Sequence, residues 1–331
     1  MGTVVRVTAP ARLHLGFLDL NGSTGRKFGS IGLAIDSHRT VVEARFCLSH
    51  ERHVLPEGLR KKVDRLVTLF CHHFSNNISR QSSPIQISIL EFIPEHAGLG
   101  SGTQLAIAVG TALSRLYNID VDTPTIAAIL DRGSRSGIGI AAFDQGGFIV
   151  DGGLGPDSNI PPLLIRHAYP ENWRVVLIME RTRQGMHGEA ETEIFNTLPT
   201  FPLPESQAIC HLTLMTLLPA LIERDIGSFG HSVTEIQRLI GDHFSQAQGG
   251  RYTSPAVAKL LAQAQSLGYT GVAQSSWGPT GCIFVDSDAA ALALTTQLED
   301  TITNHFDNKT DYSIITTRAN STGAIIDLIK Q

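Results

Sequence analysis

The sequence predicts an α+β protein of two domains, and three observations carry that prediction. Short alternating apolar runs are interspersed with runs at helical spacing along the chain, the pattern of helices packed against mixed or antiparallel sheet. A glycine-rich segment, Pro94-Glu95-His96-Ala97-Gly98-Leu99-Gly100-Ser101-Gly102-Thr103-Gln104, joins an alternating run to a helical one. The densest Gly/Pro stretch, residues 152–162, divides the 331 residues near the middle, in a length that suits two cores. The expected domains are therefore 1–160 and 161–331.

The elements follow in order. Thr3 to Ala9, Ile31 to Ile35 and Arg39 to Cys47 read as strands, and Leu59, Val63, Leu66, Val67, Phe70 and Phe74 form the apolar stripe of a helix. Ile85 to Ile93 is a strand feeding the glycine-rich segment, and a helix runs from Ser101 or Gly102 to about Tyr117. Thr123-Pro124 starts another helix, since proline suits a first turn. Gly146 to Asp151 reads as a strand. In the second half Trp173 to Met179, Gly271 to Gln274, Cys282 to Val285 and Tyr312 to Thr317 read as strands. Helices are expected over Gln207 to Glu223, Ser232 to Ile240, Pro255 to Leu267 and Ala289 to Phe306.

Composition excludes some function classes. A net charge of −5 gives no whole-protein attraction to nucleic acid or an anionic membrane. An anionic substrate must then be held by local cations and backbone N–H groups. The cysteines Cys47, Cys71, Cys210 and Cys282 are scattered without a C-x-x-C pair, which fits reduced thiols in the cytoplasm better than zinc or disulfides. His72-His73 lies on a helix, where adjacent side chains diverge, and makes a poor chelate. No basic leader precedes an apolar core, and no uncharged apolar run approaches membrane-spanning length.

The glycine-rich segment points to an anion. Gly98, Gly100 and Gly102 let the backbone approach a ligand closely. Leu105, Val109, Ala112, Leu113 and Leu116 recur at helical spacing behind them, so the unpaired N–H groups of a helix start face the loop. That arrangement favours a phosphate or diphosphate, with the Ser101 and Thr103 hydroxyls available to it or to magnesium. A Walker loop is excluded because no Lys-Ser or Lys-Thr follows, and no acidic ribose reader closes a second strand.

Instead, Pro-x-x-x-Gly-Leu-Gly-Ser-Gly resembles the central motif of the GHMP superfamily, which includes galactokinase, homoserine kinase and mevalonate kinase. Ala9-Pro10-Ala11-Arg12-Leu13-His14-Leu15-Gly16 resembles its first motif, and Gln274-Ser275-Ser276-Trp277-Gly278-Pro279-Thr280-Gly281 stands in place of its third. Where sugar and mevalonate kinases place a catalytic aspartate, the chain has Gly139 and Ile140, and a carboxylate appears only at Asp144. Together with Arg12 to Gly22, Gly98 to Gln104, Ser136 to Ile140 and Gly146 to Gly153, these departures resemble the β-ribofuranosylaminobenzene 5′-phosphate synthase family.

The resemblance implies an N-terminal β/α domain carrying the phosphate loop, a C-terminal ferredoxin-like domain, and a homodimer. It further implies that 4-aminobenzoate or 4-hydroxybenzoate displaces pyrophosphate from phosphoribosyl pyrophosphate and loses carbon dioxide, with Mg2+ at the leaving group. Such chemistry needs cationic or N–H donors at the diphosphate, a carboxylate near the ribose and a base near the ring substituent. Gly98, Leu99, Gly100, Ser101, Gly102 and Thr103 are the diphosphate candidates, with Ser101 nearest the metal. Arg12, His14 and Arg26 are candidates for the 5′-phosphate or the benzoate carboxylate. Arg135, Ser136 and Asp144 form a second cluster, with Asp144 for metal or ribose. Asp19 either orients the cations or serves the Asn21-Gly22 turn, and His187 either shuttles a proton or sits in a surface loop. Ser276 and Trp277 are placed at the substrate, the indole either stacking on the benzoate or filling core. The alternatives are an ATP-dependent kinase of the same superfamily and a ligand-binding homologue without catalysis.

Overall fold

The computed structural model describes residues 3–47, 54–56, 58–78, 84–185 and 188–330. Two long strands begin the chain, β1 (Thr3–Asp19) and β2 (Phe28–Phe46), followed by α1 (Arg60–His73) and β3 (Ile85–Glu91). Next come α2 (Ser101–Leu116), α3 (Thr123–Ile129), α4 (Ile138–Asp144), β4 (Phe148–Asp151) and β5 (Leu163–His167). The second half opens with β6 (Arg174–Glu180), α5 (Gly188–Thr197), α6 (Leu203–Leu212), α7 (Leu218–Glu223) and α8 (Ile226–Gln248). It closes with α9 (Pro255–Ser266), β7 (Gly271–Gln274), β8 (Gly281–Val285), α10 (Asp288–His305), β9 (Tyr312–Thr317) and β10 (Ile325–Lys330).

The expected α+β class holds, and the strands form two sheets. The first runs β10-β1-β2-β4-β5 with β3 also on β2; the second is β7-β8-β6-β9. In the second sheet β6, β7, β8 and β9 stand in the order 2-3-1-4, that of a ferredoxin-like βαββαβ unit. Two pairings cross the expected division at residue 160: β5 pairs with β4 across Phe148–His167, and β10 pairs with β1 across Thr3–Lys330. The first sheet thus extends past the Gly/Pro stretch and takes its edge from the chain's last strand.

Helix α2 is the pivot of the first domain. Leu105 through Leu113 are buried along it, packed with Val5, Val7, Val42 and Phe70 from the sheet and α1. Burial on nearly all sides fixes the helix start against the sheet, and with it the preceding loop. In the second domain Val257, Leu260 and Leu261 of α9 and Leu294 and Leu298 of α10 pack on Val176 and Ile283. Phe229 and Ile236 of α8 instead join Leu13 and Leu15 of β1 in a core shared by both halves. The stretch Leu203–Glu223 is long and apolar enough to cross a membrane by length and composition; here Ile209, Leu217, Leu218 and Leu221 are buried in that shared core.

Candidate functional site

The cleft is built where three glycine-bearing segments meet. Gly98 and Gly100 both take φ of 84°, and Gly100 is the residue from which α2 starts. A Cβ on Gly98 would lie 2.1 Å from the Ser275 carbonyl oxygen, so the loop and the β7–β8 turn are in backbone contact. Ser275 Oγ donates to the Gly98 carbonyl at 2.7 Å and accepts the His14 N–H at 3.0 Å, tying that turn to the loop and to β1. Arg12 closes the arrangement: its N–H donates to the Leu99 carbonyl at 3.1 Å and its Nη1 to the Gly98 carbonyl at 2.6 Å. His96 and Ser276, neither a glycine, sit at φ of 57° and 54° on opposite sides of this junction, a conformation that the surrounding bonds must enforce.

The resulting cavity is about 490 Å³, within the range of small-molecule sites, and α2 opens into it. Ser101, Gly102 and Thr103 line it; the Thr103 N–H donates to the Gly100 carbonyl at 3.1 Å, and the Ser101 and Gly102 N–H groups, which have no carbonyl four residues back inside the helix, are available to an anion. Among the described residues its charged lining is Arg12, Lys62, Arg65, Arg132 and Arg135 against the carboxylate Glu95. Glu95 pairs with Lys62, and Arg65 pairs with Asp131 at 2.8 Å. Arg135 lies 5.2 Å from the centre of the Phe195 ring, which supports the guanidinium from the side of the second domain. A chain of net negative charge therefore presents a strongly positive cleft.

Ser276 and Trp277 form the wall between this cleft and a second cavity of about 40 Å³ lined by His14, Phe17, Phe244 and Trp277. The Trp277 indole is buried and packs edge-on against Phe244 at 4.4 Å and Phe195 at 6.0 Å. His14 is buried with its ring 4.7 Å from that of Phe17. Burial, and then the neighbouring Arg12 charge, lower its pKa to about 3, so it is neutral at physiological pH.

Of the residues singled out in the sequence, the structure brings Arg12, Gly98, Gly100, Ser101, Gly102, Thr103, Arg135, Ser276 and Trp277 to the large cleft and His14 to the small one. Leu99 contributes its carbonyl to Arg12 while its side chain is buried. Others are used elsewhere. Asp144 ends α4, accepts a hydrogen bond from Thr123 Oγ1 and is not among the residues that line the cleft with Ser101. Arg26 donates to the Gly152 and Gly153 carbonyls, at 3.2 and 2.8 Å, and holds the β1–β2 turn to the segment after β4. Asp19 takes the turn role, accepting from the Asn21 and Gly22 N–H groups and from Ser206 Oγ. Ser136 caps the start of α4 and leans on buried Asp151. His187 lies outside the described residues.

Lys62, Arg65, Arg132 and Glu95 line the cleft but were not assigned roles from sequence. A signal existed: Lys62 and Arg65 are three apart on α1, beside the Val63, Leu66 and Phe70 face that packs toward α2.

The chain matches the GHMP kinases N terminal domain over residues 62–152 and the GHMP kinases C terminal domain over 217–301. It is 32% identical to the beta-ribofuranosylphenol 5'-phosphate synthase of Archaeoglobus fulgidus, covering 98% of this chain and 100% of that one. The Methanocaldococcus jannaschii protein of the same name is 32% identical over 85% of this chain and 89% of its own. Among solved structures, homoserine kinase from Cytophaga hutchinsonii superposes with a TM-score of 0.68 at 16% identity, over 98% of this chain and 97% of that one. Mevalonate diphosphate decarboxylase from Staphylococcus aureus superposes with a TM-score of 0.67 at 15% identity, over 99% and 98%. These two likenesses show the fold alone.

Proposed function

The chain belongs to the beta-ribofuranosylphenol 5'-phosphate synthase family, and from that premise we propose that it joins the ribose 5-phosphate of phosphoribosyl pyrophosphate to an aromatic acid, releasing pyrophosphate and carbon dioxide. The observation that carries this reading is the pairing of a polycationic cleft at the start of α2 with an aromatic-lined cavity across the Ser276–Trp277 wall. The first has room for a diphosphate leaving group and for a benzene ring against Trp277, and the second for a small substituent of that ring. The relatives are named for a ribosylated phenol, which favours 4-hydroxybenzoate over 4-aminobenzoate as the acceptor.

The bonds balance as follows. The ring carbon bearing the carboxylate attacks the anomeric carbon, and the C–O bond to pyrophosphate breaks with its electron pair leaving on the diphosphate. The carboxylate then departs as carbon dioxide, and its bonding pair restores the aromatic ring. Arg12, Arg132 and Arg135, with the N–H groups opening α2, are placed to stabilise charge growing on the leaving group. The apolar face of Trp277 covers the ring and weakens solvation of its carboxylate, which favours decarboxylation.

Among the described residues no three His, Cys, Asp or Glu side chains cluster as a metal site. Magnesium bound mainly through substrate phosphates needs fewer protein ligands, and the Ser101 and Thr103 hydroxyls and the Glu95 carboxylate are oxygen donors of the cleft that would hold it. Bound there, it would neutralise charge on the departing pyrophosphate. Cysteines present as thiols suit a reducing cytoplasm.

The kinase alternative loses support at Gly139. A Cβ there would meet Thr103 Cγ2 at 2.8 Å and Ile140 beside it is buried, so an aspartate of the kind sugar and mevalonate kinases use is disfavoured in that place; homoserine kinases work without one. The test is pyrophosphate release from phosphoribosyl pyrophosphate with each acid, beside an ATP control. Release that requires both donor and acid supports the reading; ATP consumption without it moves the chain to the kinases.

A further inference from the structure

The small cavity is too small for a ring. One water needs roughly 10–15 Å³ on this measure, so about 40 Å³ accommodates a few atoms. A benzene ring lying in the large cleft against Trp277 would reach it with one substituent. The proposed chemistry, on which this inference rests, decides which one. The carbon bearing the carboxylate must face the ribose, so the group para to it points away from the diphosphate loop. Of the cavity's polar residues, Gln237 bonds the Leu15 carbonyl and the Gln274 N–H, and Gln274 bonds the Thr253 N–H and the Ser276 carbonyl. Gln248 bonds the Arg251 carbonyl, and Arg251 is paired with Asp242 at 2.7 Å.

We propose that this cavity is the para-substituent subsite of the aromatic acceptor, and that the His14 imidazole is the hydrogen-bond partner of the para hydroxyl or amino group. Burial keeps His14 neutral, so one ring nitrogen accepts a hydrogen bond from the substituent. As the ring carbon attacks, the para oxygen gives up electron density and its proton shifts toward that nitrogen. It returns when loss of carbon dioxide restores the ring. Phe17, 4.7 Å from His14, sets the size of the group admitted.

The experiment is calorimetric binding of benzoate, 4-hydroxybenzoate and 4-ethoxybenzoate to the wild-type chain, His14→Gln, His14→Phe and Phe17→Ala. Wild type should prefer 4-hydroxybenzoate to benzoate by about tenfold or more, the worth of one buried hydrogen bond. His14→Phe should erase that preference, leaving benzoate affinity nearly unchanged, and His14→Gln should restore part of it. Phe17→Ala should admit 4-ethoxybenzoate, which wild type rejects, so the proposal stays testable even if His14→Phe fails to fold. No wild-type preference, or a preference and size limit unchanged in all variants, would overturn it. These ratios are read without turnover, so failure of the ribosyl-transfer reading would appear separately, as absent pyrophosphate release.

Discussion

Gly278 rests on the peptide that joins Ala97 to Gly98: a Cβ on Gly278 would meet the Ala97 carbonyl carbon and the Gly98 nitrogen at 2.3 Å. The glycine-rich loop before α2 and the β7–β8 turn are therefore a single backbone-packed unit. Gly98→Ala would press its Cβ on the Ser275 carbonyl oxygen at a positive φ and should cost about 1–3 kcal/mol of stability, with loss of most activity. Gly102 differs, since a Cβ there meets only Arg132 at 3.9 Å and φ is not positive. Gly102→Ala should leave the melting temperature unchanged or raise it, as thermal denaturation of the two variants would show.

The cationic lining makes a kinetic prediction. Arg132→Ala and Arg12→Ala should each raise the KM for phosphoribosyl pyrophosphate by about ten- to a hundredfold, the range of a charge-assisted hydrogen bond. The acid's KM should move far less. Arg65→Ala, whose guanidinium is exposed and already paired with Asp131, should have a smaller effect that shrinks further as salt rises. Steady-state kinetics at two ionic strengths checks all three.

Much of the fold was legible because periodicity reports burial. The stripe from Leu59 to Phe74 and the Leu105 to Leu116 run became α1 and α2. Strand continuity was less legible: Ile31 to Ile35 and Arg39 to Cys47 are parts of one strand, β2, whose middle residues Asp36, Ser37 and His38 break the apolar pattern at the surface. Strand β10 is largely exposed, so its Ile325-Ile326-Asp327-Leu328 gave no alternation to read. In the site, glycines and the residues bonded to them were legible because their geometry is local. The partners of Asp144 and Arg26 were not legible because a side chain's direction depends on distant contacts, here Thr123 and the Gly152 and Gly153 carbonyls. The cations of α1 were missed for the same reason, since only tertiary packing aims them at α2.

Asp144 supplies a direct contrast with the cleft residues. Its pKa is raised by burial, against a hydrogen bond from Thr123 that lowers it. Asp144→Asn keeps the shape and should leave kcat/KM for both substrates within about twofold, as expected away from the reacting atoms. A large loss of activity at unchanged stability would return this carboxylate to the chemistry.

His14 predicts a pH dependence of stability. The folded chain refuses a proton at His14 until about pH 3, while the unfolded chain takes one near the ordinary histidine value of 6.5. Stability is therefore full above pH 6.5 and falls as pH drops toward 3, with a slope of up to roughly 1.4 kcal/mol per pH unit from this group. His14→Gln should flatten that part of the profile, measured by urea denaturation at pH 7, 6 and 5.

The central claim is that one cleft couples loss of pyrophosphate to loss of a ring carboxylate. It is tested most directly by counting carbon dioxide from carboxyl-labelled 4-hydroxybenzoate against pyrophosphate in the same reaction. The account predicts equal amounts of both, formed only with phosphoribosyl pyrophosphate present and greatly reduced in Arg12→Ala. Pyrophosphate without carbon dioxide, or neither product alongside ATP turnover, would contradict it.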